Sequence, residues 1–126
     1  MNPNEPLHSP FDDHKRWISE NTFAFAIRDN FPVSPGHTLV IPKRRVASVF
    51  ELREEEFSYC WQLVQQEKDR LASELNPDGF NIGINDGEAA GQTVSHAHIH
   101  IIPRFKGDHP EPRGGVRAVI AGKASY

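Results

Sequence analysis

Histidines occupy every second position near the end of residues 91–104, GQTVSHAHIHIIPR, and this spacing restricts how the segment can fold. Because the side chains of a β-strand alternate between its two faces, His96, His98 and His100 would share one face, with about 6.6 Å between neighbours. The alanine and isoleucines that alternate with them would point into an apolar core. The segment therefore predicts a strand with a buried apolar face and an unusual face of imidazoles.

The rest of the chain predicts one long helix and several further strands. Apolar residues recur at helical spacing from Glu54 to Leu75, and glutamates fill the first turn, where the helix dipole favours anions. Pro77 and Gly79 stop this helix. Short apolar or alternating runs predict strands over 22–29, 37–42, 80–85 and 115–120, and a helical turn is expected over 46–50. Strands in adjacent pairs beside one helix predict an α+β fold with a meandering antiparallel sheet.

Length and composition restrict the class of protein. The 126 residues suit one domain, expected to span 1–126 with a flexible arm over 1–14 and a C-terminal extension over 107–126. A single cysteine excludes an internal disulfide, and no basic and apolar leader opens the chain, so a cytoplasmic location is expected. No apolar run approaches the roughly 18 residues of a membrane span. A net charge of −3 with scattered basic residues argues against a polynucleotide partner.

Three interpretations of the histidine face differ in their chemistry. The histidines could form the polar face of a structural strand, ligate a metal, or perform covalent catalysis. On a regular strand the outer two lie roughly 13 Å apart, whereas Zn–N bonds measure about 2.0–2.1 Å, so one ion would not reach all three. A neutral imidazole is nucleophilic near pH 7, and a neighbour on the same face would donate hydrogen bonds to the electrophile, for which phosphorus is the natural choice.

The loop before the histidines favours phosphate as the electrophile. Gly87 and Gly91 permit close approach of the backbone, while Gln92, Thr93 and Ser95 offer donors to phosphate oxygens. Such a loop is common by itself. Directly before three histidines, it indicates a site that binds a phosphorylated molecule.

These motifs together resemble the histidine-triad (HIT) superfamily, whose signature is His-φ-His-φ-His-φ-φ, with φ hydrophobic. PGHTLVIPK at 35–43 is similar to the second block of that family, and INDGEAAGQTV precedes the triad as in the family. The resemblance covers roughly residues 17–108. It implies an α+β meander of about five antiparallel strands with one long helix, a homodimer, a nucleotide substrate and no cofactor.

The resemblance also implies a role for each histidine. His98 would attack the α-phosphorus and form a nucleotidyl-histidine intermediate, and His100 would contact the phosphate oxygens. The backbone carbonyl of His96 would accept the Nδ1–H bond that sets the tautomer of His98. His37 would pack beside the triad and orient the site.

Further positions match substrate contacts of the family. Gln92 and Thr93, with Gly91 and Asn85 at their side, would hold the phosphates and the leaving group. Asp29 would bind the ribose hydroxyls; the alternative is that it only caps a turn. Ile27 would flank the base, or belong to the core, and Asn85 could simply stabilise the turn at NDG.

The branch of the superfamily determines the expected reaction. Because the chain keeps histidine at position 100, where the nucleotidyltransferase branch has glutamine, the resemblance implies hydrolysis. GQTV and Pro103-Arg104 resemble the fragile-histidine-triad branch, which acts on dinucleoside polyphosphates. Asn85 instead matches the nucleoside phosphoramidate hydrolases, and a nucleotide-binding regulator with little turnover is a further alternative. Arg113 and Arg117 could reach phosphates or lie in solvent.

Two departures from bacterial relatives concern zinc. Where those relatives carry Cys-x-x-Cys, this chain has SPFD at 9–12, and Arg44-Arg45 occupies the place of a zinc-ligating histidine. We therefore predict that the protein binds no metal.

Overall fold

A five-stranded antiparallel sheet and one long helix form the protein in the computed structural model, which describes residues 9–126. The strands are β1 (Trp17–Glu20), β2 (Ala24–Arg28), β3 (Thr38–Pro42), β4 (Gly79–Gly83) and β5 (Ile99–Arg104), and the helix is α1 (Glu54–Leu75). Short 3-10 turns cover His14–Arg16, Val49–Glu51, Glu88–Ala90 and Gly115–Val119. The predicted α+β fold is confirmed. Within residues 9–126, no helix is long and apolar enough to cross a membrane.

The strand order in the sheet is β1-β2-β3-β5-β4. The chain runs as a meander from β1 to β3, crosses through α1, and returns as a β4–β5 hairpin whose second strand pairs with β3. This order places β5, which begins within the histidine segment, in the interior of the sheet and leaves β4 at one edge.

Helix α1 covers one face of the sheet. Its side chains Leu63, Val64 and Leu71 pack with Ile99 and Ile101 of β5 in the main core. The apolar alternation predicted for the histidine segment is thus confirmed for its inward-facing side chains. Phe25, Ile27, Leu39 and Ile41 form a second cluster with Phe11, which comes from the segment before β1.

Local signals explain where α1 begins and ends. Glutamates fill its first turn, and the backbone N–H of Arg53 donates to the Glu56 carboxylate at 2.9 Å. Asn76 ends the helix in the left-handed conformation with φ 49°, a region that asparagine tolerates, and its N–H donates to the carbonyl of Ala72. The helix therefore spans the predicted residues.

Three segments differ from the sequence-based predictions. The predicted strand at 115–120 is wrong, because Gly114 and Gly115 take positive φ and start a 3-10 turn. Strand β1 was not predicted, since Trp17 and Ile18 are adjacent rather than alternating. The flexible arm expected over 1–14 is not seen in the part that the structure describes: Ser9 and Phe11 are buried. The remainder of that arm, residues 1–8, lies outside the described residues.

Candidate active site

Strand β5 begins at Ile99, so only His100 of the three histidines lies within the strand. The prediction that all three lie on one regular strand is therefore wrong. The cause is a hydrogen bond to a loop that is distant in the chain: the N–H of Ala97 donates to the carbonyl of Val46 at 2.8 Å instead of to a neighbouring strand. The irregular backbone brings the rings of His98 and His100 to a centroid separation of 5.1 Å.

His96 is a buried anchor. Its side chain is fully buried, and its Nε2 lies 2.6 Å from the carbonyl of Pro42 at the end of β3, which makes Nε2–H the donor. Burial lowers the pKa of His96, opposed in part by this bond, so the ring is neutral near pH 7. The backbone around His96 is thereby fixed against β3.

His98 takes its tautomer from that fixed backbone. Its Nδ1 lies 2.9 Å from the carbonyl of His96, and because a carbonyl only accepts, Nδ1 carries the proton. The lone pair is then on Nε2. The edge of the Phe11 ring packs against the imidazole, with centroids 5.2 Å apart. In the neutral ring this tautomer leaves the lone pair of Nε2 free to act as a nucleophile.

A chain of hydrogen bonds orients His100. The N–H of Val33 donates to Nδ1 of His37 at 3.2 Å, so the proton of His37 lies on Nε2. That nitrogen is 2.9 Å from Nδ1 of His100 and 3.5 Å from a carboxylate oxygen of Asp29. His100 consequently carries its proton on Nε2, a buried atom that has no hydrogen-bond partner among residues 9–126.

Burial keeps both members of this histidine pair neutral. It lowers the pKa of His37, with a smaller opposing effect of Asp29. Burial, followed by the nearby His98 and His37, lowers the pKa of His100 to about 4. Near pH 7 the pair therefore carries no charge and keeps one N–H, on Nε2 of His100, without a partner among residues 9–126.

The histidines border a cavity of about 440 Å³. The predicted site residues His37, Asp29, Asn85, Gly91 and Thr93 line it together with His98 and His100. The carboxylate of Asp29 also accepts the N–H of Phe31 at 2.8 Å, so the residue caps a turn as well as facing the cavity.

Two predicted substrate contacts lie outside the lining of this cavity. Ile27 is completely buried in the second apolar cluster. The side chain of Gln92 braces the loop: its oxygen accepts the N–H of Gly87 at 2.8 Å, and its nitrogen donates to the carbonyls of Ala47 and Val94. Gln92 thus shapes the loop that carries Thr93.

Several cavity residues were missed by the sequence analysis. Phe11 and Arg16 come from the segment before β1, and Phe31 comes from the turn after β2. The backbone N–H of Val33 orients His37, and a main-chain contact of this kind leaves no mark in the side-chain pattern. Only the aromatic character of Phe11 in a proline-containing stretch could have signalled a packed residue.

One group of side chains has the composition of a metal site. The ligand atoms of Asp29, His37 and His100 all lie within 4.8 Å of one another. However, the facing nitrogens of the two histidines already share one proton in their 2.9 Å hydrogen bond, which a metal ion would have to displace. The prediction of a metal-free protein stays a prediction.

Comparison with known proteins identifies the family. The HIT domain family profile matches residues 12–107. This chain belongs to the HIT family. Over 85 residues, covering 68% of the chain, the HIT protein is 48% identical to a bis(5'-adenosyl)-triphosphatase from Dictyostelium discoideum, of which the match spans 57%.

Solved structures of HIT relatives have the same fold. A diadenosine triphosphate hydrolase from Plasmodium falciparum is 32% identical with a TM-score of 0.74, over 76% of this chain and 65% of that one. A zinc-bound histidine triad family protein from Mycobacterium smegmatis is 40% identical with a TM-score of 0.65, over 75% of this chain and 69% of that one. The first of these structures, like the Dictyostelium protein, is matched over less than two thirds of its length.

The residues around His96 do not fit zinc. Ser9 uses its N–H on the carboxylate of Asp12 at 2.8 Å, and its hydroxyl oxygen accepts the N–H of Phe11 at 3.1 Å. Arg45, whose charge acts on His96, has no lone pair to offer a metal. Apart from His96 itself, these residues supply none of the cysteine and histidine ligands typical of structural zinc.

The C-terminal arginines contact an aromatic ring. The guanidinium carbons of Arg113 and Arg117 lie 4.5 and 4.9 Å from the ring centroid of Tyr126. Both arginines line no part of the histidine cavity.

Proposed function

We propose that this HIT protein is a hydrolase that cleaves dinucleoside polyphosphates at the α-phosphate through a nucleotidyl-His98 intermediate. The observation that carries the proposal is that one cavity is lined by His98, whose Nδ1–H is bonded to the carbonyl of His96, and by His100, whose Nε2–H has no partner among residues 9–126. The named activities of the Dictyostelium and Plasmodium relatives support this substrate class.

The proposed reaction has two steps. In the first, Nε2 of His98 attacks the α-phosphorus, and the bond from phosphorus to the bridging oxygen breaks to release a nucleoside polyphosphate. The ring then carries a positive charge, stabilised through Nδ1–H by the carbonyl of His96. In the second, water attacks the same phosphorus, the P–N bond breaks, and a nucleoside monophosphate leaves with the oxygen of that water.

His100 stabilises charge in both steps. Its Nε2–H donates to a phosphate oxygen, where negative charge accumulates as the new bond forms. A neutral donor loses no proton to the phosphate and is held in place by His37 before substrate binds. No step requires a metal ion or an organic cofactor.

The remaining predicted contacts belong to substrate binding. Asp29 binds the ribose hydroxyls, while Asn85, Gly91 and Thr93 face the phosphates and the leaving group. Gln92 acts by holding the phosphate loop, and Ile27 supports the floor under the base from within the core.

Trapping of the covalent intermediate tests this proposal. The protein is mixed briefly with diadenosine tetraphosphate, quenched in alkali, which preserves phosphoramidates, and analysed by intact-mass and peptide spectrometry. We expect an adenylyl adduct on His98. The variant His98→Ala should lose adduct and turnover to below a few per cent while still binding nucleotide, whereas His109→Ala, on an exposed loop, should behave like the native chain.

A nucleoside phosphoramidate is the second candidate substrate. Asn85 lines the cavity and matches the branch that hydrolyses such compounds. Both substrates give the same His98 intermediate, so steady-state kcat/KM values for diadenosine tetraphosphate and an adenosine phosphoramidate decide between them. An adduct that forms but never turns over would favour a nucleotide-binding regulator.

We further propose that the protein is a homodimer located in the cytoplasm. Support for the dimer comes from β4, an edge strand, and from the exposed apolar side chains Val116, Val119 and Ile120. Sedimentation equilibrium measures the assembly state, and a monomer at micromolar concentration would contradict the dimer.

A further inference from the structure

The cavity beside His98 contains one side chain with a permanent positive charge among the residues described. Arg16, at the end of the 3-10 turn before β1, lines it together with Phe11 and Phe31. No motif of the sequence indicates a role for this arginine, and the two-step reaction above does not use it.

The register of the sheet places Arg16 away from the reacting phosphorus. Trp17 pairs with Ile27, Ile27 with Leu39, and Leu39 with His100, so these residues form one row across four strands. Three strand spacings separate the ends of the row by roughly 14 Å. The backbone of Arg16, which precedes Trp17 directly, therefore lies away from His100, and its guanidinium reaches the carbonyl of Arg28 at the end of β2.

Two aromatic side chains that line the cavity make it suitable for a nucleobase. Phe11 is largely buried and fixed against His98, whereas Phe31 is 87% exposed although it lines the cavity. The flat face of a base stacks on such rings, whereas a phosphate group makes no favourable contact with them.

The guanidinium of Arg16 is fixed but not saturated. One Nη donates to the backbone carbonyl of Arg28 at 3.0 Å, which holds the group at the wall of the cavity. Its other N–H groups have no hydrogen-bond partner among residues 9–126. Arginine only donates hydrogen bonds, so its partner on a ligand must be an acceptor, and the planar fork of the guanidinium fits two adjacent acceptors best.

We propose that Arg16 determines the base preference of this site and favours guanine over adenine. Guanine presents two adjacent acceptors, N7 and O6, which match the two parallel donors of a guanidinium. Adenine presents an acceptor beside an amino group, and that amino group opposes an arginine donor. The inference rests on the proposed function for the identity of the ligand as a nucleotide.

The test compares guanine and adenine ligands on three variants. Values of kcat/KM are measured for diguanosine and diadenosine tetraphosphate, and Kd values for GMP and AMP, on the native chain, Arg16→Met, Arg16→Lys and the matched control Lys15→Met. Lys15 is an exposed neighbour outside the cavity, so its variant removes the same charge without touching the site.

We expect the native protein to prefer guanine and Arg16→Met to reduce kcat/KM for diguanosine tetraphosphate about tenfold, with a smaller reduction for diadenosine tetraphosphate. Arg16→Lys should lose the preference as well, because an ammonium keeps the charge but lacks the paired donors. Lys15→Met should keep the native ratio.

Other results separate this inference from the proposed function. Arg16→Met could reduce kcat/KM equally for both substrates, and Arg16→Lys could restore it. This result would mean that Arg16 binds phosphate, and it would overturn the inference but leave the proposed hydrolase activity intact. The native protein could instead show no turnover but bind GMP more tightly than AMP, with Arg16→Met abolishing that selectivity. This result would retain the inference and refute the proposed hydrolase activity. Native protein without base preference in either assay overturns the inference.

Discussion

At the scale of single residues, main-chain atoms decide the protonation pattern of the site. The N–H of Val33 fixes the tautomer of His37, and the carbonyl of Pro42 fixes that of His96. The carbonyl of His96 in turn fixes His98. Position 42 accommodates proline because only its carbonyl contacts His96. Proline at position 33 would remove the N–H that orients His37 and, through it, His100.

The acid stability of the protein should depend on His100. Its pKa is about 4 in the folded protein against an ordinary value of 6.5, so the unfolded chain binds the proton more readily. The free energy of unfolding is unaffected by this group above pH 6.5 and falls as the pH drops from 6.5 to about 4. The free energy of unfolding is measured with urea at several pH values. Its pH dependence between 6.5 and about 4 should correspond to uptake of about one proton fewer in His100→Gln than in the native chain.

An exposed histidine provides the control for that slope. The variant His109→Gln changes a residue in the exposed loop after β5 and should retain the native pH dependence. If His100→Gln retains it too, the neutral buried state assigned to His100 is refuted.

At the scale of elements, the turn before β3 positions His37 through a close contact with the helix. Gly36 has φ 84°, and a Cβ there would lie 2.6 Å from Leu75 and 2.8 Å from Leu71 of α1. The backbone conformation therefore favours glycine, and an added Cβ would force the ends of these two leucine side chains to shift. The hydroxyl of Thr38 donates to the Gly36 carbonyl at 2.7 Å and closes the turn.

Gly36→Ala should destabilise the protein by about 2–4 kcal/mol, since strain and overpacking add. Gly107→Ala is the matched control: it has φ 85° but no atom within 4 Å of its added Cβ, so it carries the backbone strain alone. Chemical denaturation measures the free energy of unfolding of both variants. Equal decreases would show that the contact with α1 does not contribute to the destabilisation. We also expect kcat to fall in Gly36→Ala only, because His37 follows it directly.

The elements also differ in how much of them the sequence could predict. The bounds of α1 were predictable because its apolar stripe, acidic first turn and stop signals agree. The start of β5 was not, since the bond from Ala97 to Val46 depends on a distant loop. His37 and the triad were predictable as one site from their motifs, whereas the contribution of Arg16 depends on the register of β1, a strand whose pattern is weak.

At the scale of the whole molecule, the segment before β1 covers the site with residues that include no cysteine. Hydrogen bonds among Ser9, Phe11 and Asp12 close this segment over His96 and His98. The segment contributes Phe11 to the second core, so apolar packing fixes it to the sheet.

Removal of metal should therefore leave the fold unchanged. We expect the same Tm, within about a degree, before and after dialysis against EDTA, because no folding energy comes from metal binding. Elemental analysis of untagged protein gives the metal content directly. Stoichiometric zinc, or a lowered Tm in chelator, would contradict the prediction.

Main-chain groups anchor three of the four histidines from the turn before β3, the end of β3 and the backbone entering β5, and the ring of His37 anchors His100. The catalytic tautomers thus exist only while β3 and β5 are paired. A partly unfolded chain that kept α1 would be chemically inert, so enzymatic activity should report on the cooperative unfolding of the entire sheet. Loss of turnover and loss of circular dichroism in urea are then expected to follow a single transition.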